Sequence, residues 1–244
     1  MNADIIDLRE FYLSPLGLAA QRAVQAALTS VWQPITDERL VGLGYTLPYL
    51  DRFASDAERA FAFMPAAQGA VKWPAGLCSL TAMVDGEDLP LPDSSVDRIL
   101  MVHALEFAEN PNQLLTEAWR VLAPSGELVV VVPNRRGVWS RFEHTPFGSG
   151  RPWSRGQLLN LMRETMFTAC SVSEALLFPP FKRRSLLGLA GAMERYGRDA
   201  WPIFSGVVVV EAKKQIYRGI PVADARRERQ RIRTPVLVPQ GLPS

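Results

Sequence analysis

The chain is poor in the residues that build disulfide frameworks and metal centres: it holds two cysteines and two histidines in 244 residues. Cys78 and Cys170 stand singly in the apolar contexts LCSL and TACSV, with no CxxC spacing, so they read as buried, inert thiols. His103 and His144 are too few for a His-rich centre, and no metal is expected. The GxSxG elbow of a serine hydrolase does not occur. No run of about 18 apolar residues is present, which excludes a helical membrane span. The opening MNADIIDLREFY places acids where a signal peptide needs a basic and then an apolar region, so a cytoplasmic location is expected. A net charge of +2 and the lack of an RNA-binding signature argue against nucleic acid as partner. What remains is an ordinary globular composition, 48% hydrophobic and 21% charged, enough for one sizeable core with a terminal extension.

Strand-like and helix-like runs alternate along the chain. Ser14-Pro15 and Asn110-Pro111 each pair an N-cap residue with a proline at the first helical position. The first opens an amphipathic helix to about Trp32, with Leu18, Ala19, Val24, Leu28 and Trp32 on its apolar face. The second opens a helix to about Leu122, with Leu114, Leu115, Ala118, Trp119 and Leu122 on one side. Further helices are expected over 5–11, from Pro48, over 154–165, and up to about Tyr196. Strands are expected over 39–43, 58–64, 77–84, 97–102, 127–132, 167–177 and 206–213, with Pro124-Ser125-Gly126 as a turn before the fifth. The fifth, ELVVVV, is the continuous β-branched run of a strand buried on both faces. Such alternation predicts a parallel sheet covered by helices. Three segments follow: an N-terminal helical segment (1–34), an α/β domain (35–214), and a basic tail (215–244) with five arginines between 226 and 233.

The most informative stretch runs from Asp85 to Glu106. Asp85-Gly86 closes an apolar strand, and Leu89-Pro90-Leu91-Pro92 holds an extended loop because proline disfavours the helical region for the residue before it. Asp93-Ser94-Ser95 turns, and Val96 to Val102 resumes as a buried strand. In this order the chain resembles the type-11 branch of the class I S-adenosylmethionine-dependent methyltransferases. The resemblance implies a Rossmann-like, seven-stranded, mostly parallel sheet whose last strand is antiparallel and inserted beside the fifth. It also implies S-adenosylmethionine as cofactor.

The family's pattern is only partly kept. At the first strand-to-helix turn, Gly42 stands where an acid is expected, Gly44 matches the first glycine, and Thr46 and Pro48 replace the next two, with Tyr45 between. The carboxylate that binds ribose after the second strand is missing from Met64-Pro65-Ala66-Ala67-Gln68, leaving Gln68 as a neutral acceptor. Losing such a charged hydrogen bond costs about 1.5–3 kcal/mol, roughly 10- to 150-fold in affinity. Asp85 stands where the family accepts the adenine amino group, and Gly86 offers a backbone N–H beside it. His103, just after the fourth strand, reads as an imidazole lining the cleft rim or as a neutral-pH base, and Glu106 as part of a following short helix. Gly42, Gly44, Tyr45, Asp85, Gly86 and His103 are thus the candidate cofactor-binding residues, and no catalytic residue is named. The loop from Pro133 to Ser154 mixes arginines, aromatics and glycines as a lid over an acidic or planar substrate would.

The function implied by the resemblance is methyl transfer to a small or medium-sized substrate. A fold that has lost methyl transfer and now binds a ligand or protein partner is the alternative, with the arginine run and the segment FPPFKRR as candidate contacts for anionic partners.

Overall fold

The computed structural model describes residues 4–32, 35–76, 78–181, 187–200 and 205–216. Two helices come first, α1 (Ile5–Leu13) and α2 (Pro15–Val31). Ser14 ends one and caps the other, its hydroxyl accepting from the Gly17 amide. There follow β1 (Arg39–Gly44), α3 (Leu47–Ala54), β2 (Arg59–Pro65), β3 (Thr81–Val84), β4 (Val96–Val102), α4 (Pro111–Val121), β5 (Leu122–Pro133), α5 (Arg155–Glu164), β6 (Phe167–Ala175), α6 (Ala190–Ala200) and β7 (Val207–Lys214). The cap predicted at Asn110 accepts from Gln113, and Ser154 forms a full capping box with Gln157.

The strands form one sheet in the order β3-β2-β1-β4-β5-β7-β6. β1 to β5 are mutually parallel, and β7 lies antiparallel between β5 and β6, as the resemblance implied. Alternate residues of the central strands serve opposite faces. Leu100, Val129, Val131, Val207 and Val209 face a core shared with α1, α2 and α3. Ile99, Met101, Val130, Val208 and Val210 face a second core with α4 and α5.

Several local expectations need correction. β3 begins at Thr81, not 77, because Leu80 has turned to donate its amide to the Trp73 carbonyl. The turn at 124–126 is a bulge inside β5: Leu122 pairs with Val96 and Glu127 with Arg98, so the intervening residues arch out, with Ser125 at φ 65°. Leu18 does not join the buried face of α2 and is 47% exposed. Cys78 and Cys170 are exposed free thiols, and Cys170 sits on the edge strand β6. No helix among the described residues is long and apolar enough to cross a membrane. The arginine run and the stretch Lys182–Arg184 lie outside the described residues.

The amino end of the sheet is tied by charge. Asp97 accepts from the Arg39 amide at 3.0 Å and from its guanidinium at 2.8 and 2.9 Å. Those guanidinium hydrogen bonds hold the Asp97 carboxyl below its usual range. A carboxyl with a lowered folded-state pKa contributes stability that is present above its unfolded value and is lost as pH falls through the folded one. Between about pH 5 and pH 3, urea unfolding will therefore show a shallower loss of stability in Asp97→Asn than in the native chain. Parallel curves would rule this pair out as an acid-labile tie.

Candidate functional site

β1, β3 and β4 run parallel, so their carboxyl ends bring Gly44, Asp85 and His103 to one edge of the sheet, as the sequence predicts. Strand order reverses between β1 and β4, and in open α/β sheets ligands bind outside the carboxyl ends at such a switch point. The geometry there falls into two halves, one open and one filled.

The open half is a cleft of about 370 Å³ beyond β2, β3 and β4. Its walls include Pro65, Gln68, Val84, Asp85, Gly86 and Phe107. Asp85 is exposed; its Oδ1 accepts from the Glu87 amide at 2.9 Å, which closes the turn. Gln68 is buried and donates from Nε2 to the His103 carbonyl at 2.8 Å, while its own carbonyl accepts from the Ile5 amide at 2.9 Å. The cleft wall is therefore joined to both α1 and the end of β4.

The filled half is the switch point itself. Gly44 has φ +87°, and a Cβ there would stand 2.3 Å from the Val102 carbonyl oxygen, so glycine is required where β1 closes on β4. Gly42 is equally close-packed: its Cβ would meet Thr46 Oγ1 at 2.2 Å. Over both strand ends sits Tyr12 of α1, 5% exposed, its ring 5.6 Å from that of Tyr45 and 5.9 Å from that of His103. Its hydroxyl lies 2.9 Å from Tyr49 Oη and 2.9 Å from His103 Nε2. On the other side of the imidazole, Nδ1 is 3.0 Å from Glu106 Oε1.

The result is a buried carboxylate–imidazole–phenol–phenol chain, Glu106–His103–Tyr12–Tyr49. His103 adopts φ 52°, a left-handed conformation that histidine takes more readily than most residues, and this turns the chain sharply at the end of β4. Burial, before the neighbouring tyrosines, drives the Tyr12 phenol pKa well up, and burial does the same for Tyr49. Both phenols stay protonated at neutral pH. Two buried polar atoms in this half have no hydrogen-bond partner: Thr46 Oγ1 and Glu106 Oε2.

Of the six candidate residues, Asp85 and Gly86 line the cleft; Gly42, Gly44, Tyr45 and His103 are buried beside it. His103 is 1% exposed and does not stand on a rim. Glu106 belongs to no helix: a turn closed by the Phe107 amide on the Ala104 carbonyl buries it against His103. Two aromatics of the 133–154 loop, Trp139 and Phe147, are fully buried because each finds ring partners in the core, while Phe142 stays 37% exposed. Sequence reasoning missed Tyr12 and Tyr49. The one available signal was crowding, since three of the chain's five tyrosines fall within residues 12–49.

Comparison with known proteins agrees with this architecture. Residues 41–130 match a family described as a methyltransferase domain. A probable S-adenosylmethionine-dependent methyltransferase of Mycolicibacterium smegmatis is 31% identical over 146 residues, 59% of this chain and 48% of that protein. The chain spans less than half the length of the curated relatives it matches. A Thermotoga maritima structure described as a possible histamine N-methyltransferase superposes with TM-score 0.58 at 20% identity, covering 85% of this chain and 94% of that one. A Mesorhizobium loti methyltransferase gives TM-score 0.56 at 18% identity, with 78% and 96% covered. The chain thus carries the class I fold of the S-adenosylmethionine-dependent methyltransferases, and residues 41–130 are the part that matches a methyltransferase domain.

Proposed function

We propose that this protein is an S-adenosylmethionine-dependent methyltransferase acting on a small or medium-sized substrate, with residues 35–214 as its catalytic body and 215–244 as a basic extension. The observation that carries the reading is the cleft at the carboxyl edge, walled by Asp85 and Gly86 within the segment that matches a methyltransferase domain. When bound, the cofactor supplies a methyl group on a positively charged sulfur.

The residues fit its nucleoside part. Asp85 Oδ1 is engaged in its own turn, which leaves Oδ2 to accept from an adenine amino group beside the Gly86 N–H. Gln68, in the cleft wall after β2, would offer a neutral acceptor to a ribose hydroxyl, and Val84, Phe107 and Leu114 would supply apolar walls. The amino-acid part would not fit with α1 seated, because the Tyr12 ring packs against those of Tyr45, Tyr49 and His103 at the switch point. Methyl transfer requires alignment of the acceptor with the sulfonium more than an acid–base pair, so proximity carries much of the rate. The alternative, a relative that has lost methyl transfer, draws its support from the same filled switch point and from the missing acid after β2.

Calorimetric titration with S-adenosylmethionine and S-adenosylhomocysteine tests the reading. At least one will bind, and Asp85→Asn, which keeps an oxygen for the turn, will weaken it by about 1–2 kcal/mol, roughly 5- to 30-fold. Folded, ligand-free protein that binds neither up to about millimolar concentration, the weak end of specific affinity, would remove the methyltransferase reading.

A further inference from the structure

The disagreement at the switch point has a specific shape. α1 presents Ile5, Leu8 and Tyr12 inward, while Ile6 and Leu13 remain exposed. A nine-residue helix has little stability of its own, because isolated helices shorter than about 12–15 residues are marginal in water. Its placement therefore depends on tertiary contacts: Ile5, Leu8 and Tyr12 in the core, Phe11 against Phe147 with ring centroids 6.0 Å apart, the Ile5 amide on the Gln68 backbone carbonyl, and the Tyr12 hydroxyl on Tyr49 and His103. The hinge to α2 is tight, since a Cβ at Gly17 would stand 1.9 Å from the Phe11 carbonyl oxygen.

The unpartnered atoms near the plug are of two kinds. Thr46 Oγ1 is a neutral hydroxyl, able to donate or accept, and Glu106 Oε2 belongs to a carboxyl that also holds His103. A zwitterionic amino-acid group carries the complementary chemistry, an ammonium for a carboxyl and a carboxylate for a hydroxyl. A buried polar atom left without a partner costs about 1–3 kcal/mol, so the filled state holds back stability that a ligand of this chemistry would restore.

We propose that Tyr12 divides the crevice: a nucleoside without an amino-acid tail enters the cleft beyond β2, β3 and β4 with α1 seated, whereas a nucleoside carrying a zwitterionic amino-acid tail binds only after α1 has left the switch point. α1 is then a gate on the cofactor's amino-acid half, and Gln68, hydrogen-bonded to Ile5 on one side and to His103 on the other, connects the cleft to it. The proposal rests on the reading of the cleft as a nucleoside site. Its signature is kinetic and energetic: a ligand that needs a minor open state loses apparent affinity by the fraction of molecules that are open.

The test uses the full chain with adenosine and S-adenosylhomocysteine as probes, by calorimetry and by hydrogen–deuterium exchange over α1. Adenosine will bind and leave α1 exchange unchanged, while S-adenosylhomocysteine will speed exchange in α1. Tyr12→Ala will bind S-adenosylhomocysteine about tenfold or more tightly than the native chain, as expected if the open state is populated at a tenth or less, and will leave adenosine affinity unchanged. If Tyr12→Ala does not fold, the exchange measurement on the native chain decides alone. Protection of α1 by S-adenosylhomocysteine, or equal affinity in both proteins, overturns the gate and leaves the nucleoside site standing. If neither probe binds either protein, the proposed function fails and the gate fails with it.

Discussion

Trp139→Ala will lower the stability of this protein by about 3–5 kcal/mol, the range for truncating a large buried aromatic. The ring is fully buried, edge-on to Phe147 at 5.4 Å and to Phe178 at 5.5 Å. Its Nε1 donates to the Phe178 carbonyl at 2.5 Å, so the loop after β5 is held against the segment after β6. Gly206 makes room for it: a Cβ there would come within 2.5 Å of the indole Cδ1, so the neighbouring backbone is already shaped around the ring and cannot collapse far into the cavity. At roughly 2–4 °C per kcal/mol for a domain of this size, the midpoint in a thermal scan will fall by about 10 °C. Trp139→Phe keeps most of the packing but leaves the Phe178 carbonyl unpaired, and it will cost about 1–3 kcal/mol. A loss below about 1 kcal/mol for Trp139→Ala would mean that the loop repacks and that the aromatic cluster is not a structural tie.

The second large effect is expected at Arg98, on β4. Its guanidinium pairs with Glu38 at 2.6 Å and makes a closer contact with Glu127 on β5, with the Trp32 ring centroid 5.8 Å away. Arg98 and Glu127 side chains are 11% and 14% exposed, and Glu127 also meets Lys213 of β7 at 3.0 Å. Removing one member of a buried pair leaves the other charged and desolvated, at a cost of about 3–5 kcal/mol; partial exposure of Glu38 and the help from Lys213 bring the expectation for Arg98→Met to about 2–4 kcal/mol. The double variant Arg98→Met with Glu127→Met will recover part of that loss in the same denaturant titration, because the charges then left without their partner, Glu38 and Lys213, are 34% and 50% exposed and solvated. If the double variant is as unstable as the single one, packing of the arginine stem rather than its charge is what β4 and β5 need.

The sheet was legible because its signals are local. Ser14-Pro15 and Asn110-Pro111 announce helix starts within two residues, and ELVVVV announces a doubly buried strand. Asp85 was placed correctly at the carboxyl edge for the same reason, since strand, aspartate and Leu-Pro loop are contiguous. The site's filled half was not legible. Tyr12 lies 91 residues from the imidazole it bonds, and nothing within either segment records the contact. Gly42 and Gly44 read as a ligand cradle because glycine permits close backbone approach, but the groups that approach are Thr46 and the end of β4. The two cysteines show the converse error: apolar neighbours in sequence do not by themselves imply burial, since Cys78 lies outside any strand, Cys170 lies on an edge strand, and both are exposed.

The place of β7 has a consequence for how the protein is made. Among the described residues β6 is hydrogen-bonded to β7 alone, and the outer edge of β5 is covered by β7 alone. A nascent chain that has emerged as far as residue 206 therefore has five strands able to pair, followed by a sixth with no neighbour and an exposed row of backbone donors and acceptors along β5. Open strand edges of this kind invite pairing with other chains. Until β7 arrives, the uncovered edge of β5 is the part of the sheet most open to such pairing. Emergence of Lys214 ends that exposure, when a single strand closes both gaps at once.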